Sequence, residues 1–281
     1  MKETVSKSNL IPKIIHYCWY GGKPKPPILQ DCIDTWSHLE GYQIIEWNET
    51  NCSFNENDFI KKSYSEKKWA FVADYYRLRA LYDYGGIYLD TDVKVFRTFD
   101  NLLHHPMFLN FIFDCSIGTA VIGCMPKHPL IKALLTMYEH TVFGQTSNGK
   151  QLEQLGDTYV INHYVANNYY FTYYILKNYP DFVLNNTYQD LKDFVVYPKE
   201  LFEIGSLTQK HYTIHYNTGT WHLTAKKDFK SKIKSFIAKS PAIHNFIQIC
   251  VRKIRYQKLN KKIPFYEYSL AQKKNLPLPP L

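Results

Sequence analysis

Asp90 and Asp92 stand one residue apart at the end of the segment Gly85-Gly86-Ile87-Tyr88-Leu89-Asp90-Thr91-Asp92. An Asp-x-Asp that closes an apolar strand presents carboxylate oxygens to a divalent cation. Mg²⁺ and Mn²⁺ prefer oxygen ligands and commonly bind through one or two carboxylates plus the phosphates of a substrate. The chemistry suggested is Lewis-acid neutralisation of a phosphate-bearing substrate, such as a diphosphate leaving group. The competing reading is a strand end with ordinary surface carboxylates.

Three further groups could take part. Asp74 and Arg77, three residues apart on a helix-patterned stretch, could simply pair with each other, which is worth a few tenths of a kcal/mol. They could instead face a cleft, where a carboxylate and a forked guanidinium suit the hydroxyls of a polyol. Trp19 closes a short apolar run and is either a core residue or a base-stacking platform at the carboxyl end of a strand, where α/β proteins bind ligands. His16, within the same run, reads as a satisfied core histidine. His215, followed by Gly219-Thr220-Trp221, reads as a metal ligand beside a loop with an aromatic lid, or as a strand with scattered histidines.

The elements that must position these residues follow from pattern. Residues 14–19 are mostly apolar and read as a buried strand, stopped by Gly21-Gly22 and Pro24. Pro26 or Pro27 suits the first turn of a helix running through Trp36, and residues 42–47 read as a second strand, an α/β beginning. Residues 66–84 are expected to be helical, ended by a left-handed cap at Gly85-Gly86. In the strand that follows, Tyr88, Asp90 and Asp92 face one way while Ile87, Leu89 and Val93 face the other, unless a turn at Thr91 intervenes. Residues 107–113 and 119–124 read as strands, 128–143 as a helix, and 194–197 and 213–216 as short strands. Residues 144–192 are expected to form helices and long loops lining a cleft. The tail 276–281 should be extended or disordered.

Composition bounds the rest. The 281 residues are 45% hydrophobic and 21% charged, which is globular. Aromatics reach 16%, with 24 tyrosines, which could serve sugar stacking or reflect a Tyr-rich coding bias. The net charge of +9, much of it after Ala225, favours anionic partners without choosing among them. Six cysteines show no zinc spacing. The N-terminal stretch lacks the apolar core of a signal peptide and no run approaches a membrane span, so a cytoplasmic protein with reduced thiols is expected.

Together these segments resemble the family-32 glycosyltransferases, the group with a sugar-binding region containing a DXD motif. This group includes capsular and lipopolysaccharide sugar transferases, and its core is similar to the glucosyltransferase domain of large clostridial toxins. The matching residues are 11–19 with Gly21-Gly22, then Ala73-Asp74-Tyr75-Tyr76-Arg77, then 85–92, and finally 197–202 with His215 to Trp221. The resemblance implies a single GT-A-like domain, a Rossmann-like α/β fold, over residues 11–225. A polar lead (1–10) would precede it, and a basic helical extension with a Pro-rich tail (226–281) would follow. It implies a retaining hexosyltransferase with a UDP- or GDP-linked sugar donor, Mn²⁺ or Mg²⁺, and a saccharide or lipid-linked saccharide acceptor, at work in bacterial capsule or surface polysaccharide assembly. By position, Trp19 would stack on the donor base, and Asp74, Arg77 and Tyr88 would hold the donor. Asp90 would contact donor and metal, Asp92 would ligate the metal, His215 would complete metal or pyrophosphate binding, and Trp221 would close over the leaving group. Two departures stand out: Gly-Thr-Trp in place of Gly-Ser-Trp, and no asparagine within Ser116-Ile-Gly-Thr-Ala120.

Two other kinds of protein share part of this pattern. A phosphatase of the haloacid dehalogenase type also carries Asp-x-Asp after an apolar strand, but usually with Thr or Val where this chain has Lys94, and it leaves Asp74, Arg77 and Trp19 unexplained. A non-catalytic basic module for membrane or nucleic acid has the charge, but no nucleic-acid motif appears. A narrower expectation is that residues 226–262 form a basic amphipathic element in peripheral contact with the anionic inner membrane face.

Overall fold

The computed structural model describes residues 10–206, 208, 210–218 and 241–281, with the side chains of 148 and 241–248 set aside. Its centre is a seven-stranded mixed sheet. Strand β1 (Ile14–Cys18) lies between β2 (Gln43–Trp47) and β3 (Gly86–Leu89), parallel to both. Beyond β3 lie antiparallel β6 (Ser116–Cys124), then β5 (Met107–Phe113) and β11 (Val195–Tyr197), both parallel to β3, and finally the short antiparallel β10 (Gln189–Asp190). This is the α/β fold with a mostly parallel sheet that the sequence implied.

Burial on both faces explains the apolar strands. Ile15, Tyr17, Ile87 and Leu89 join the core on one face, with Trp36 and Phe99. Cys18 and Tyr88 join the larger core on the other, with Leu78, Leu134 and Phe171. That larger face is covered by α3 (Trp69–Tyr84), α4 (Pro129–Glu139) and α5 (Asn167–Asn178). Helix α1 (Pro27–Asp34), with Pro27 in its first turn as expected, makes the crossover from β1 to β2. His16 is a core residue. Its Nε2 donates to the Gly85 carbonyl at 2.8 Å, its Nδ1 accepts from Trp47 Nε1 at 3.1 Å, and burial lowers its pKa to about 4, leaving it neutral.

The structure revises several expectations. Residues 58–84 hold two helices, because α2 (Asp58–Ser65), capped by Asn57 accepting from Ile60 N, precedes α3. Gly85 has φ 63° and ψ −167°, an extended glycine-only conformation and not a left-handed helical cap. It turns the chain from α3 straight into β3. Gly86, at φ +104°, has no room for a Cβ, which would lie 2.6 Å from the Ile14 carbonyl oxygen. The helix expected over 128–143 stops at Glu139, and the β-branched Thr141 and Val142 enter a strand, β7 (Thr141–Phe143). Strand β7 pairs with β9 (Thr158–Ile161), which also pairs with β8 (Glu153–Leu155).

At the carboxyl end of β3 a turn forms, with Val93 N donating to Asp90 O at 3.0 Å. The alternation expected through Asp92 therefore ends at Leu89. The chain continues into β4 (Val93–Val95), which pairs with β12 (Thr213–His215) so that His215 lies opposite Val93. The C-terminal region holds α6 (Pro241–Asn260) and α7 (Tyr266–Lys274). The tail beyond is extended and held, since Lys150 Nζ donates to Leu281 O at 2.9 Å. No helix among the described residues is long and apolar enough to cross a membrane.

Candidate active site

Strands β1 and β3 are neighbours, yet the chain leaves β1 towards β2 on one side and leaves β3 towards the other. The crevice outside their carboxyl ends is a topological switch point, where open α/β sheets bind ligands. Trp19 follows β1 and Asp90 follows β3, so both leave the sheet at this end.

Asp90, Asp92 and His215 come together there, with ligand atoms all within 4.8 Å of one another. The turn after β3 brings the two aspartates round, and the β4–β12 pairing delivers His215 across 123 residues of chain. Its Nε2 lies 3.2 Å from Asp92 Oδ1. Thr218 adds two bonds to Asp92 Oδ2, from its amide at 2.8 Å and its hydroxyl at 3.0 Å. On the far side of the imidazole, Nδ1 donates to Glu203 Oε2 at 2.8 Å. Glu203 is fully buried and also accepts from Asn110 Nδ2 at 3.2 Å. Gly118 makes room for this pair, because a Cβ there would sit 2.6 Å from Asn110 Nδ2 and 2.9 Å from Glu203 Oε1.

Asp74, Arg77 and Tyr88 lie beneath Asp90. The first two are 7% and 5% exposed and Tyr88 1%, against 28% for the Asp90 side chain. Arg77 meets Asp74 at 2.9 Å, Asp90 at 3.4 Å and the Thr119 carbonyl at 2.6 Å, and its guanidinium lies 4.5 Å from the centre of the Tyr88 ring. The Tyr88 hydroxyl donates to Asp90 Oδ1 at 3.0 Å. Thus Asp74 and Arg77 do pair, as the simpler reading had it, and the pair extends to Asp90. In this arrangement the three residues orient Asp90 from below and do not line an open wall.

The charges divide accordingly. Burial raises the pKa of Asp90, opposed by Arg77 and His215. Burial pushes Asp74 up to about 6, with Arg77 pulling it down and Asp90 adding to the rise. For Asp92 burial also acts upward, but His215 and Thr218 together hold its carboxyl far below the usual range. His215 moves the other way: burial would lower its pKa, and Glu203 and Asp92 together raise it well above the ordinary value.

This donor set fits a divalent cation. Two carboxylates and one imidazole converge, and oxygen with imidazole nitrogen suits Mn²⁺ and similar ions. The bond from Nδ1 to Glu203 leaves Nε2 as the nitrogen turned towards Asp92. A carboxylate behind a ligating histidine is the usual outer partner that fixes its orientation and tautomer.

Trp19 stands at the other edge of the crevice. It is half-buried, continues the β1 ladder to Trp47 O at 2.9 Å, and donates Nε1 to Lys23 O at 2.6 Å. With Lys23, Lys25, Glu46, Asn48 and Glu49 it lines a cleft of about 490 Å³. Trp221 lies outside the described residues, so its assigned closing role has no geometry here.

Glu203 and Thr218 were not legible as site residues. A lone Glu in Leu201-Phe202-Glu203 carries no motif, and only the return of β12 places it behind His215. Gly118, which makes room for Glu203, lies just outside the strand expected over 119–124 and gave no hint either.

Residues 26–109 match the family model described as glycosyltransferase sugar-binding region containing DXD motif. Inositol phosphoceramide mannosyltransferase 3 of Schizosaccharomyces pombe is 34% identical over 133 residues, covering 45% of this chain and 36% of that protein. Mannosyl phosphorylinositol ceramide synthase SUR1 of Saccharomyces cerevisiae is 30% identical over 151 residues, covering 48% and 36%. The chain thus spans little more than a third of the length of these relatives. Among solved structures, a glycosyltransferase involved in the glycosylation of the major capsid of PBCV-1 aligns over 74% of this chain and 95% of its own, at 9% identity and TM-score 0.39, a likeness too slight to bear on function. The segment that matches the sugar-binding region containing the DXD motif, residues 26–109, holds Asp74, Arg77, Asp90 and Asp92.

Proposed function

We propose that the protein is a metal-dependent, retaining glycosyltransferase that moves a hexose from a UDP- or GDP-linked donor to a hydroxyl of a saccharide or lipid-linked acceptor. The observation that carries this reading is the convergence of Asp90, Asp92 and His215 at the switch point between β1 and β3. Asp90, Asp92 and His215 would hold Mn²⁺ or Mg²⁺, which when bound withdraws negative charge from a departing diphosphate. Trp19 would stack on the nucleotide base. Asp74, Arg77 and Tyr88 would act by holding Asp90, with Asp74 and Arg77 near the donor sugar.

The reaction breaks the bond between the anomeric carbon and the phosphate oxygen and forms the new glycosidic bond on the same face. The acceptor proton passes to the leaving phosphate, so no protein base is required. Positioning and electrostatic stabilisation then supply most of the acceleration. Trapping a covalent glycosyl-enzyme during turnover would refute this step.

The yeast relatives are named for mannose and for inositol phosphoceramide. Mannose therefore comes first among donors to test, and a lipid-linked polyol first among acceptors, beside the saccharides of a bacterial capsule or lipopolysaccharide. A setting on the inner membrane face belongs to the same proposal. Its support is the outer surface of α6, where Val251 and Ile254 are exposed among Lys253, Arg255 and Lys258. The decisive experiment incubates purified protein with UDP-glucose, UDP-galactose, UDP-N-acetylhexosamines and GDP-mannose plus Mn²⁺. Slow, EDTA-sensitive release of UDP or GDP from one donor is expected. Release from none of them, or release that ignores EDTA, would overturn the proposal.

A further inference from the structure

Helix α6 does not stand apart from the catalytic body. Ile249, Arg252, Tyr256 and Asn260 recur along one face of it at helical spacing, and each meets an element of the site or of the sheet behind it. Ile249 is buried near Gly205. Tyr256 is buried, packs on Phe113 and accepts from Asn217 Nδ2 at 2.6 Å. Asn260 exchanges two hydrogen bonds with Asp114, donating to its carboxylate and accepting from its amide. The guanidinium of Arg252 lies 4.7 Å from the centre of the Tyr216 ring. Residues 216–218 are the stretch between His215 and the threonine that donates twice to Asp92, so α6 grips the loop that builds the cation site.

Arg252 is left incomplete by these contacts. Its Nη1 is buried and has no hydrogen-bond partner among the described residues. A buried guanidinium N–H without an acceptor keeps the cost of its lost hydration, which stacking on one tyrosine only partly offsets. Arg77 cannot supply a second cation, because Asp74, Asp90 and the Thr119 carbonyl engage it. Yet a nucleoside diphosphate gains a further negative charge as the glycosyl bond breaks, more than one dication neutralises.

We propose that Arg252 is a substrate-binding residue, donating from its guanidinium to the diphosphate of the nucleotide-sugar donor, and that α6 is thereby part of the active site. This rests on the proposed function and extends it to a helix outside the family-matched segment. A planar fork of donors matches phosphate oxygens, and its positive charge grows more valuable as the leaving group departs.

The test uses the full chain in four forms: wild type, Arg252→Gln, Arg252→Lys, and Arg255→Gln, an exposed neighbour on the same helix. Titration calorimetry measures Mn²⁺ alone, UDP and GDP in the presence of Mn²⁺, and inositol 1-phosphate in the presence of Mn²⁺. Arg252→Gln should weaken the preferred nucleoside diphosphate roughly tenfold to a hundredfold, the worth of one charged hydrogen bond. Its affinity for Mn²⁺ alone should stay within about threefold of wild type, Arg252→Lys should recover part of the loss, and Arg255→Gln should bind as wild type. Undiminished diphosphate binding by Arg252→Gln would overturn the inference. Equal loss of Mn²⁺ and diphosphate would reduce Arg252 to a structural role, and a loss confined to inositol 1-phosphate would assign the contact to the acceptor, so either result also overturns it. If wild type binds Mn²⁺ but neither UDP nor GDP, the proposed function itself fails and this inference falls with it.

Discussion

Replacing Asp92 by asparagine separates the metal role from the structural one. The amide keeps the shape, and its oxygen can still accept from the Thr218 amide and hydroxyl, now at 2.8 and 3.0 Å from Oδ2. What disappears is the charge facing His215 Nε2 at 3.2 Å. A charge-assisted hydrogen bond worth about 1.5–3 kcal/mol becomes a neutral one worth about 0.5–1.5 kcal/mol, a loss of about 1–2 kcal/mol. For a chain of this size that lowers the Tm by roughly 2–8 °C, so the variant should fold. The metal effect is larger. At a Mn²⁺ concentration about 100 times Kd, wild type gains about 2.7 kcal/mol from binding, and the variant should gain little. Turnover should fall roughly a hundredfold to several thousandfold, corresponding to about 3–5 kcal/mol of lost charge stabilisation. Paired thermal melts with and without Mn²⁺, beside donor hydrolysis, measure both. A wild-type rate at saturating Mn²⁺, or an unchanged metal-induced rise in Tm, would refute the reasoning.

Other consequences are separable. Glu203 and Asp92 raise the pKa of His215 against the opposing effect of burial. Its contribution to metal-free stability is therefore complete below about 6.5 and is lost as pH rises through its folded value, the sign for a raised histidine. Because a metal must displace that proton, Mn²⁺ affinity should climb by up to about tenfold per pH unit across neutrality, and calorimetry from pH 6 to 8 showing a flat affinity would contradict this. Arg77→Met leaves Asp74 and Asp90 uncompensated in a buried setting and should cost about 3–5 kcal/mol, read by urea denaturation. Gly86→Ala forces a Cβ to 2.6 Å from Ile14 O at φ +104° and should cost at least about 2 kcal/mol; an unshifted melt would show that β3 can give way. Trp19→Ala should raise the donor KM by roughly tenfold or more with kcat little changed, since stacking on a base is worth about 1–3 kcal/mol.

The parts of this protein legible in its sequence are those decided within one element. The apolar runs of β1, β3 and β5, the proline that opens α1, and the end of α3 at Gly85, though not the conformation Gly85 adopts, each follow from local chemistry, as does the placement of Asp90 and Asp92 at a strand end. Helix α2 escaped notice because eight mostly polar residues carry too little pattern, and β7 because three residues after a helix resemble its continuation.

The site itself was half legible. Asp90 and Asp92 follow directly on the end of β3 at Leu89, and adjacency in the chain nearly guarantees their adjacency in space. The sequence named His215 but could not place it, because the β4–β12 pairing closes a gap of more than a hundred residues. Glu203 behind His215, Arg77 beneath Asp90 and Arg252 against Tyr216 are decided the same way. Each is a charged or polar contact between different elements, created when strands pair and helices dock, even where only 12 or 13 residues separate the partners, as for Glu203 with His215 and Arg77 with Asp90. Local pattern records which face of an element is buried, but not which residue of another element will meet it, and the electrostatics of this site arise from those contacts between elements.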